Sequence, residues 1–460
     1  MQQGEESFTP PAETKDETVK SVSICAGVCS DGTLNNRTNI DQRLAAAPAD
    51  KLTEEELAAS LEVKGKMSAA DIAEATRVYN LHKPSGPNEE SSYEGYYTNV
   101  EKLERYLDLT SPPPGYDKMV KTYVEGSGTM DLEGDKKAGF AFAKGESGLE
   151  AKVERALREV VAKIAEIQPI KRVFIKKVTL LGLGFSRGAA GTRNFIHKAL
   201  FGDESIKARL EELGYKVGVV DVRFVGLFDT VSSFGYLLPL NSDNTRALNL
   251  DAIAHADAVV QLAAADEHRT YFALTDIASA GGKGRQYFLP GVHSDIGGGY
   301  RDNATEKQVI YRGWESTALE EQKKLIAAGW YEKNEIELTA VGESFTALAT
   351  LSVERKAISN GYSKIPLHLM AGYVRENKIN IHPNLERGEV VPDKLTAVHD
   401  KIKKYIASQG PYTSKPEDWH GNDDGLPALR HGYFHFSARI KMGHNPRFKN
   451  GKRTRKIHEG

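Results

Sequence analysis

The sequence feature that most constrains this chain is an apolar run that passes directly into the motif G-F-S-R-G at residues 184–188. The run, V-T-L-L-G-L at 178–183, is typical of a strand buried on both faces. Small residues follow at 189–191 and favour a helix that starts in the motif. A turn this sharp strains its middle residue and requires small neighbours. The pattern therefore lifts the hydroxyl of Ser186 above the sheet edge and predicts that Ser186 is a nucleophile.

This chain partly resembles three other motifs, but in each case it lacks a residue that the chemistry of the motif needs. A dinucleotide fingerprint starting at Gly182 would need a third glycine where Arg187 stands. A P-loop would need lysine and then serine or threonine after Gly188, where two alanines follow. The D-G-T sequence at 31–33 resembles the loop of haloacid-dehalogenase phosphatases, but Cys29 occupies the position of their nucleophilic aspartate. A tight turn with an incidental serine remains the alternative to a nucleophile.

The composition favours a globular protein and argues against a membrane span. With 460 residues, 40% of them hydrophobic and 27% charged, the chain can form one large domain with insertions or two domains. A formal net charge of −2 provides no overall field that would attract nucleic acid. No apolar run reaches the roughly 18 residues that a membrane helix needs. Residues 1–20 are polar and lack a signal-peptide core, so we expect synthesis in the cytoplasm and any export by a route without a cleaved leader.

The two cysteines, Cys25 and Cys29, both fall on the predicted first strand at 21–29. Four residues of strand separate them by about 13 Å, which is too far for a disulfide bond. The chain contains no zinc-binding spacing either. We therefore expect two small core residues, no metal site and no cofactor.

Strands and helices alternate along residues 21–300, which predicts an α/β-hydrolase-like fold of class α/β, with a mostly parallel sheet flanked by helices. We expect a disordered lead-in at 1–20 and a catalytic domain at 21–440, with helical insertions near 41–82 and 302–400. Beyond 300 the sequence shows no second core of an obvious type. The other predicted strands lie at 119–124, 217–228 and 286–289, and the other predicted helices at 98–107, 148–168, 251–265 and 365–374.

The segment at 441–460 is predicted to be a basic C-terminal tail. Two interpretations fit its composition. It could be a solvated, frayed terminus, or it could make an electrostatic contact with anionic lipid or a carrier protein. Residues 439–460 contain one acidic residue, Glu459, and eight basic residues: Arg439, Lys441, Arg447, Lys449, Lys452, Arg453, Arg455 and Lys456.

A serine nucleophile needs a base, and the base needs an orienting partner. In α/β-hydrolases the chain order is serine, acid, histidine, and this chain offers Ser186, Asp229 and His293 in that order. Asp229 follows an apolar strand, and His293 is predicted to lie in a glycine-rich loop after a short strand. All three therefore fall at the C-terminal ends of strands, where open α/β sheets place their sites.

Each of these assignments has an alternative. Asp229 could simply cap a following helix, and His293 could be a loop histidine bonded to the backbone. Asp295 is the reserve acid, although a residue two positions from His293 can rarely reach the far ring nitrogen. His435 is the reserve base. For the oxyanion hole we expect the backbone N–H of Arg187 and a second backbone N–H from a loop after an early strand, with Gly32 or Thr33 as the best candidates.

Five ordered sequence blocks resemble the GxSxG-type phospholipase effectors of type VI secretion, which belong to a wider bacterial and fungal α/β-hydrolase family. The resemblance spans about residues 21–300, with a further match at 429–435. It departs from the family at 29–30, where Cys-Ser stands in place of bulky apolar residues. The blocks are D-G-T-L-N-N at 31–36, T-N-V at 98–100, G-F-S-R-G-A at 184–189, G-L-F-D-T-V at 226–231 and P-G-V-H-S-D-I-G-G-G-Y at 290–300.

The resemblance implies a catalytic triad of Ser186, Asp229 and His293 that attacks the acyl esters of glycerophospholipids, as a phospholipase A does. It also implies an antibacterial effector that a type VI spike or carrier protein delivers into the periplasm of a target cell. There it would act on the phospholipid membrane, and a cognate immunity protein would neutralise it. Two alternatives remain open: a carbohydrate or peptidoglycan esterase, and a non-catalytic binding module that keeps the hydrolase shell.

Overall fold

A computed structural model describes residues 20–84, 90–136, 145–233, 243–341, 347–421, 425–441 and 443–460. Its centre is a six-stranded sheet in the order β2-β1-β3-β4-β5-β7, and every neighbouring pair in it is parallel. The predicted α/β fold with a mostly parallel sheet is confirmed. Residues 1–19 of the predicted lead-in at 1–20 lie outside the described residues. The strands are β1 Ser21–Ser30, β2 Lys118–Val124, β3 Phe174–Phe185, β4 Val217–Phe228, β5 Ala256–Ala264 and β7 Gly284–Leu289.

The two central strands explain where the functional side chains collect. Strand β3 is almost fully buried from Val178 onwards, because helices cover both of its faces. The chain leaves β1 towards β2 on one side and returns to β3 on the other. The loops after β1 and β3 therefore leave on opposite faces and open a crevice between them. Open α/β sheets bind their ligands in such a crevice.

Helices cover the two faces of the sheet in separate layers. On one face, apolar side chains from α5, α6 and α7 pack against the strands. The buried side chains of α5 recur every three to four residues, so they lie along one face of that helix. On the other face, α4 and α10 pack against Leu181, Leu183 and Phe224. The bounds are α4 Asn99–Tyr106, α5 Leu149–Ile167, α6 Ser186–Leu200, α7 Ile206–Glu212 and α10 Lys364–Glu376.

The expected helices at 41–82 are present, each started by a capping side chain. Thr53 and Ser68 form capping boxes with Glu56 and Asp71, which satisfies the first free N–H groups of each helix. Helix α1, Arg37–Ala46, starts at Asn36. The other two are α2 Glu54–Gly65 and α3 Ala69–His82.

The prediction that 302–400 is a helical insertion is wrong for its first part. Strands β8 Ala304–Trp314, β9 Ile336–Val341 and β10 Leu348–Ile358 form a three-stranded antiparallel sheet in the order β8-β10-β9. In β10 the buried side chains alternate with exposed ones, which is the period of a strand with one covered face. A helix, α9 Glu315–Ala327, lies between β8 and β9 in the chain. The later helices are α11 Leu385–Gly388 and α12 Thr396–Ser408, and α13 Leu426–Tyr433 lies beyond the insertion.

The predicted helix at 251–265 is also wrong. A 3-10 turn at Leu250–His255 leads into strand β5, which lies between β4 and β7. The apolar run Val259, Val260, Leu262 and Ala263 is buried on both faces, and such a short run has no period that separates a strand from a helix. The predicted helix therefore becomes an interior strand.

The interpretation of 441–460 as a frayed terminus is wrong for the residues that the structure describes. Strands β11 Phe448–Lys449 and β12 Lys452–Arg453 form a hairpin, and β13 Ile457–His458 pairs with β6 Leu274–Thr275 in parallel. Gly460 is buried and donates its N–H to Asp276. The segment packs there because its backbone completes the hydrogen bonds of residues 274–276.

Two smaller expectations also have outcomes in the described residues. Cys25 and Cys29 are both buried and free, as predicted. No helix among the described residues has the length and apolarity to cross a bilayer.

Candidate active site

The serine of the G-F-S-R-G motif is the first residue of α6 and directly follows β3. Its backbone φ is +59°, a left-handed conformation that costs energy for any residue with a side chain. A Cβ atom at Gly188 would lie 2.2 Å from the backbone oxygen of Asp31, and one at Gly184 would lie 2.5 Å from the Cα of Ala189. Both glycines are therefore required by backbone contacts, and the elbow is a consequence of the local sequence.

Asp229 and His293, predicted as acid and base, are hydrogen-bonded to each other. The Nδ1 of His293 lies 2.5 Å from Oδ2 of Asp229, and both residues are buried. Asp229 follows β4 with a φ of +49°, and no helix follows it in the described residues up to 233. His293 starts the short helix α8, His293–Gly297, so it does not lie in a loop as predicted. The hydrogen bond at Nδ1 leaves Nε2 as the nitrogen that can accept a proton.

Sequence analysis missed one partner of Asp229. Arg455 donates from Nη1 to Oδ1 at 2.6 Å and from Nη2 to Oδ2 at 2.8 Å. The backbone N–H of Ala264 also donates to Oδ1, at 2.8 Å. The only signal for Arg455 was the cluster of basic residues near position 455, which carries no information about the partner of any one of them.

The pKa values of the pair follow from burial and these contacts. Burial alone would raise the pKa of Asp229, but Arg455 and His293 hold it below its usual value. Burial lowers the pKa of His293 below the usual value, against the opposing effect of Asp229. The rings of Phe185 and Phe272 pack against the imidazole, with centroids 4.6 and 5.0 Å from its own. The geometry therefore favours a charged carboxylate beside a neutral imidazole.

Ser186 and His293 line the same open cleft, whose volume is about 380 Å³. Apolar rings of Phe185 and Phe272 form part of its wall. Ionisable side chains form much of the rest of the wall: Arg301 pairs with Glu94 and with Glu56 outside the cleft, and His444 contacts Glu90.

The two candidate N–H groups from the loop after β1 are in different situations. The N–H of Gly32 donates to the carboxylate of Asp31 at 2.7 Å, so it is already engaged. Thr33 lines the cleft, and its hydroxyl accepts a hydrogen bond from Nη1 of Arg187 at 3.0 Å. Burial raises the pKa of Asp31 to about 7 against the hydrogen bonds of Tyr123 and Gly32. The N–H of Gly32 is therefore the weaker candidate, and the side chain of Thr33 lies on the cleft beside Arg187.

The reserve residues Asp295 and His435 form a second buried pair. The Nδ1 of His435 lies 2.9 Å from Oδ1 of Asp295, and the ring of Tyr300 stacks on the imidazole at 3.6 Å. The backbone N–H of Val292 donates to Oδ2 of Asp295. Asp295 therefore serves His435 and the start of α8, whereas the ring of His293 is hydrogen-bonded to Asp229.

This arrangement has the parts of an acyl-transfer site: a raised serine, a neutral imidazole on the same cleft and a charged carboxylate behind it. Among the described residues, no group of three or more histidine, cysteine, aspartate or glutamate side chains is arranged to hold a metal ion.

Comparisons with known proteins point to one family. Residues 204–323 match the family model for the type VI secretion phospholipase effector, Tle1-like, catalytic domain. The structure of the Tle1 effector bound to the VgrG spike matches 92% of this chain and 85% of that chain, with 21% identity and a TM-score of 0.59. A crystal structure of an uncharacterized protein from Pseudomonas aeruginosa matches 89% of this chain and 53% of that one, with 16% identity and a TM-score of 0.39. No curated protein matches the chain.

The family model covers the stretch that contains Asp229 and His293, and the structural likeness extends over almost the whole fold. These findings confirm the resemblance predicted from the sequence blocks: this chain is similar to the Tle1-like phospholipase effectors of type VI secretion.

Proposed function

We propose that this protein is a serine esterase that cleaves the acyl esters of glycerophospholipids, in the manner of a phospholipase A. The observation that carries the proposal is the buried hydrogen bond between His293 and Asp229, with His293 and the strained Ser186 on one cleft. In the proposed site Ser186 is the nucleophile, His293 is the general base and Asp229 orients the imidazole.

The reaction follows the acyl-enzyme route. The Oγ of Ser186 attacks the ester carbonyl carbon while Nε2 of His293 takes its proton. The tetrahedral intermediate collapses, and His293 returns the proton to the departing alcohol of the glycerol backbone. Water then attacks the acyl-serine with His293 again as the base, which releases the fatty acid and restores Ser186.

The negative charge of the tetrahedral intermediate needs donors that are already in position. We assign this role to the backbone N–H groups of Arg187 and Thr33. Arg187 follows the nucleophile at the start of α6, where helix N–H groups are not used within the helix. The hydrogen bond from Arg187 to the Thr33 hydroxyl holds the two segments together.

The lipid substrate and the delivery route rest on the comparisons. The matching family is one of phospholipase effectors, and the Tle1 effector was observed bound to the VgrG spike. We propose that this protein likewise travels on a type VI spike or carrier protein and hydrolyses phospholipid in the periplasm of a target bacterium. A cognate immunity protein in the producing cell would then block the cleft.

The Ser186→Ala variant tests the proposal directly. Removal of the nucleophile should lower the rate of ester hydrolysis by about three orders of magnitude or more while the protein still folds. The measurement is mass spectrometry of liposome lipids after incubation with wild type and variant. Free fatty acid and lysophospholipid from the wild type alone support the assignment.

Three outcomes would contradict it. Equal hydrolysis of a short-chain ester by wild type and Ser186→Ala would exclude Ser186 as the nucleophile. Release of acetate from acetylated glycans without fatty acid from liposomes would favour a carbohydrate or peptidoglycan esterase. Failure of a fluorophosphonate to label folded wild-type protein would favour a non-catalytic binding module.

A further inference from the structure

We propose that Arg455 is a positioning residue for the catalytic pair, so that the segment at 454–460 forms part of the catalytic apparatus. The inference rests on the proposed function, because it assigns Arg455 a role that acts through Asp229. It also gives a function to part of the basic segment that sequence analysis left between a frayed end and a binding surface.

Arg455 completes the set of hydrogen bonds to the carboxylate of Asp229. A carboxylate offers about four acceptor positions. In Asp229 two are used by the fork of Arg455, one by the N–H of Ala264 and one by His293. With the first three contacts in place, Oδ2 is held in a single orientation towards Nδ1 of His293.

Arg455 also supplies the positive charge that the buried carboxylate of Asp229 needs. The Asp229 side chain is 0% exposed and that of Arg455 is 3% exposed. A carboxylate removed from water to this extent requires an opposite charge nearby to remain ionised. Neutral His293 cannot supply that charge before the reaction, whereas Arg455 supplies it at all times. The bidentate contact uses the planar fork that distinguishes arginine from lysine.

The side chain of Arg455 is itself held in place by hydrogen bonds to the backbone. Its Nε donates to the backbone oxygen of Phe272 at 2.9 Å, and its Nη1 reaches that of Ala264 at 3.2 Å. The backbone beside it is fixed as well, since Leu274 donates its N–H to the oxygen of Lys456 at 2.9 Å. The guanidinium is therefore pre-organised, and it also ties Phe272, whose ring packs against His293, to Asp229.

Other charged groups near the pair are already balanced. Glu267 and Arg269 lie close to His293, but the two form an ion pair at 2.9 Å. Arg269 also contacts His444, which pairs with Glu90. Arg455 is thus the cation whose partner is Asp229, and its removal would change the charge that His293 experiences.

The experiment compares Arg455→Met with Arg455→Lys, and uses Lys452→Gln as the control. Lys452 is exposed and lies on strand β12, three residues before Arg455. For a short-chain ester, we expect Arg455→Met to lower kcat by at least about tenfold with KM within about twofold. Loss of the cation favours imidazolium, so the acid limb of the kcat/KM profile should move to higher pH. Arg455→Lys retains the charge and should largely keep the limb in place, with a smaller loss of kcat.

A double variant separates positioning from a general effect on folding. If Arg455 acts through Asp229, adding Arg455→Met to Asp229→Asn should lower kcat by less than about twofold beyond Asp229→Asn alone. This double variant leaves no unpaired buried charge, so it should fold even if Arg455→Met does not. Circular dichroism measures the folded fraction of every variant without requiring a reactive serine, and each rate is corrected for it.

The outcomes are decisive. Wild-type kcat and pH profile in Arg455→Met, a loss of kcat without movement of the acid limb, or additive losses in the double variant would each overturn the inference. If Arg455→Met does not fold, the double variant and Arg455→Lys decide in the same way. If wild-type protein neither hydrolyses the ester nor reacts with the fluorophosphonate, the proposed function itself has failed, which is a different result.

Discussion

In the part of the chain that the structure describes, two Asp–His pairs are alike in distance and burial but differ in access to the cleft and in counter-charge. In the first, Asp229 and His293 are 2.5 Å apart; in the second, Asp295 and His435 are 2.9 Å apart. His293 lines the open cleft beside Ser186, whereas the second imidazole lies under the stacked ring of Tyr300. Access to a substrate therefore belongs to the first pair.

The counter-charge also differs between the two pairs. Asp229 has the guanidinium of Arg455, which holds its pKa below the usual value despite burial. The hydrogen-bond partners of Asp295 that the structure describes are the backbone N–H groups of Val292 and His435 and the His435 ring, and burial raises its pKa. A short Asp–His distance therefore does not by itself define a catalytic pair. A cation behind the acid and an open face in front of the base also distinguish the first pair.

The largest expected difference is in the rate of ester hydrolysis. Asp229→Asn should lower kcat by about 10⁴-fold, because an asparagine cannot hold the required tautomer or stabilise the imidazolium. Asp295→Asn should stay within about tenfold of wild type, since the asparagine oxygen still accepts the N–H of Val292. Steady-state kinetics on one ester checks both, and equal losses would remove the distinction between the pairs.

The next difference is in how stability depends on pH. The lowered pKa of Asp229 means that its contribution to stability is present above the ordinary value of 3.8 and is lost as the pH falls below it. The raised pKa of Asp295 has the opposite sign: the folded state holds the proton more tightly, so stability declines as the pH rises above 3.8. Urea unfolding of wild type and each asparagine variant across this range measures the two differences. Parallel slopes would contradict the prediction.

A third test uses the pH dependence of activity. His293 acts as a base only when neutral, and its pKa lies below the ordinary 6.5. The acid limb of kcat/KM should therefore fall below pH 6.5, and activity should persist in mildly acid solution. His435→Gln should leave that limb where it is, because the second pair does not meet the substrate. A limb that moves with His435→Gln would show that both pairs take part.

The smallest expected effect concerns Tyr300, which lines the cleft and stacks on His435. Tyr300→Phe keeps the stack and should change the free energy of unfolding by less than about 0.5 kcal/mol. Tyr300→Ala removes the stack, which costs about 1 kcal/mol in addition to the lost buried area. Chemical denaturation measures both, with the ester rate as a second readout. A tenfold rate loss in Tyr300→Phe would connect the second pair to the chemistry.

Particular residues show how far sequence reasoning reached. The elbow at Ser186 was predictable because Gly184 and Gly188 lie within the same short stretch and meet their neighbours through backbone contacts. Strand β5 was mistaken for a helix because its short apolar run has no distinguishing period. Arg455 was counted only as one charge among eight, since the sequence contains no signal that pairs it with Asp229.

The sequence alone determined the parallel sheet and the elbow, because both depend on apolar spacing and small residues within a few positions of each other. Chain order and the family resemblance named Asp229 and His293 in advance, with Asp295 and His435 in reserve. Only the tertiary structure showed which acid meets which histidine and which cation stands behind the acid. Those contacts join residues 64, 140 and 226 positions apart. Their formation depends on how distant loops and the segment at 454–460 converge on one sheet edge, and no local pattern encodes that convergence.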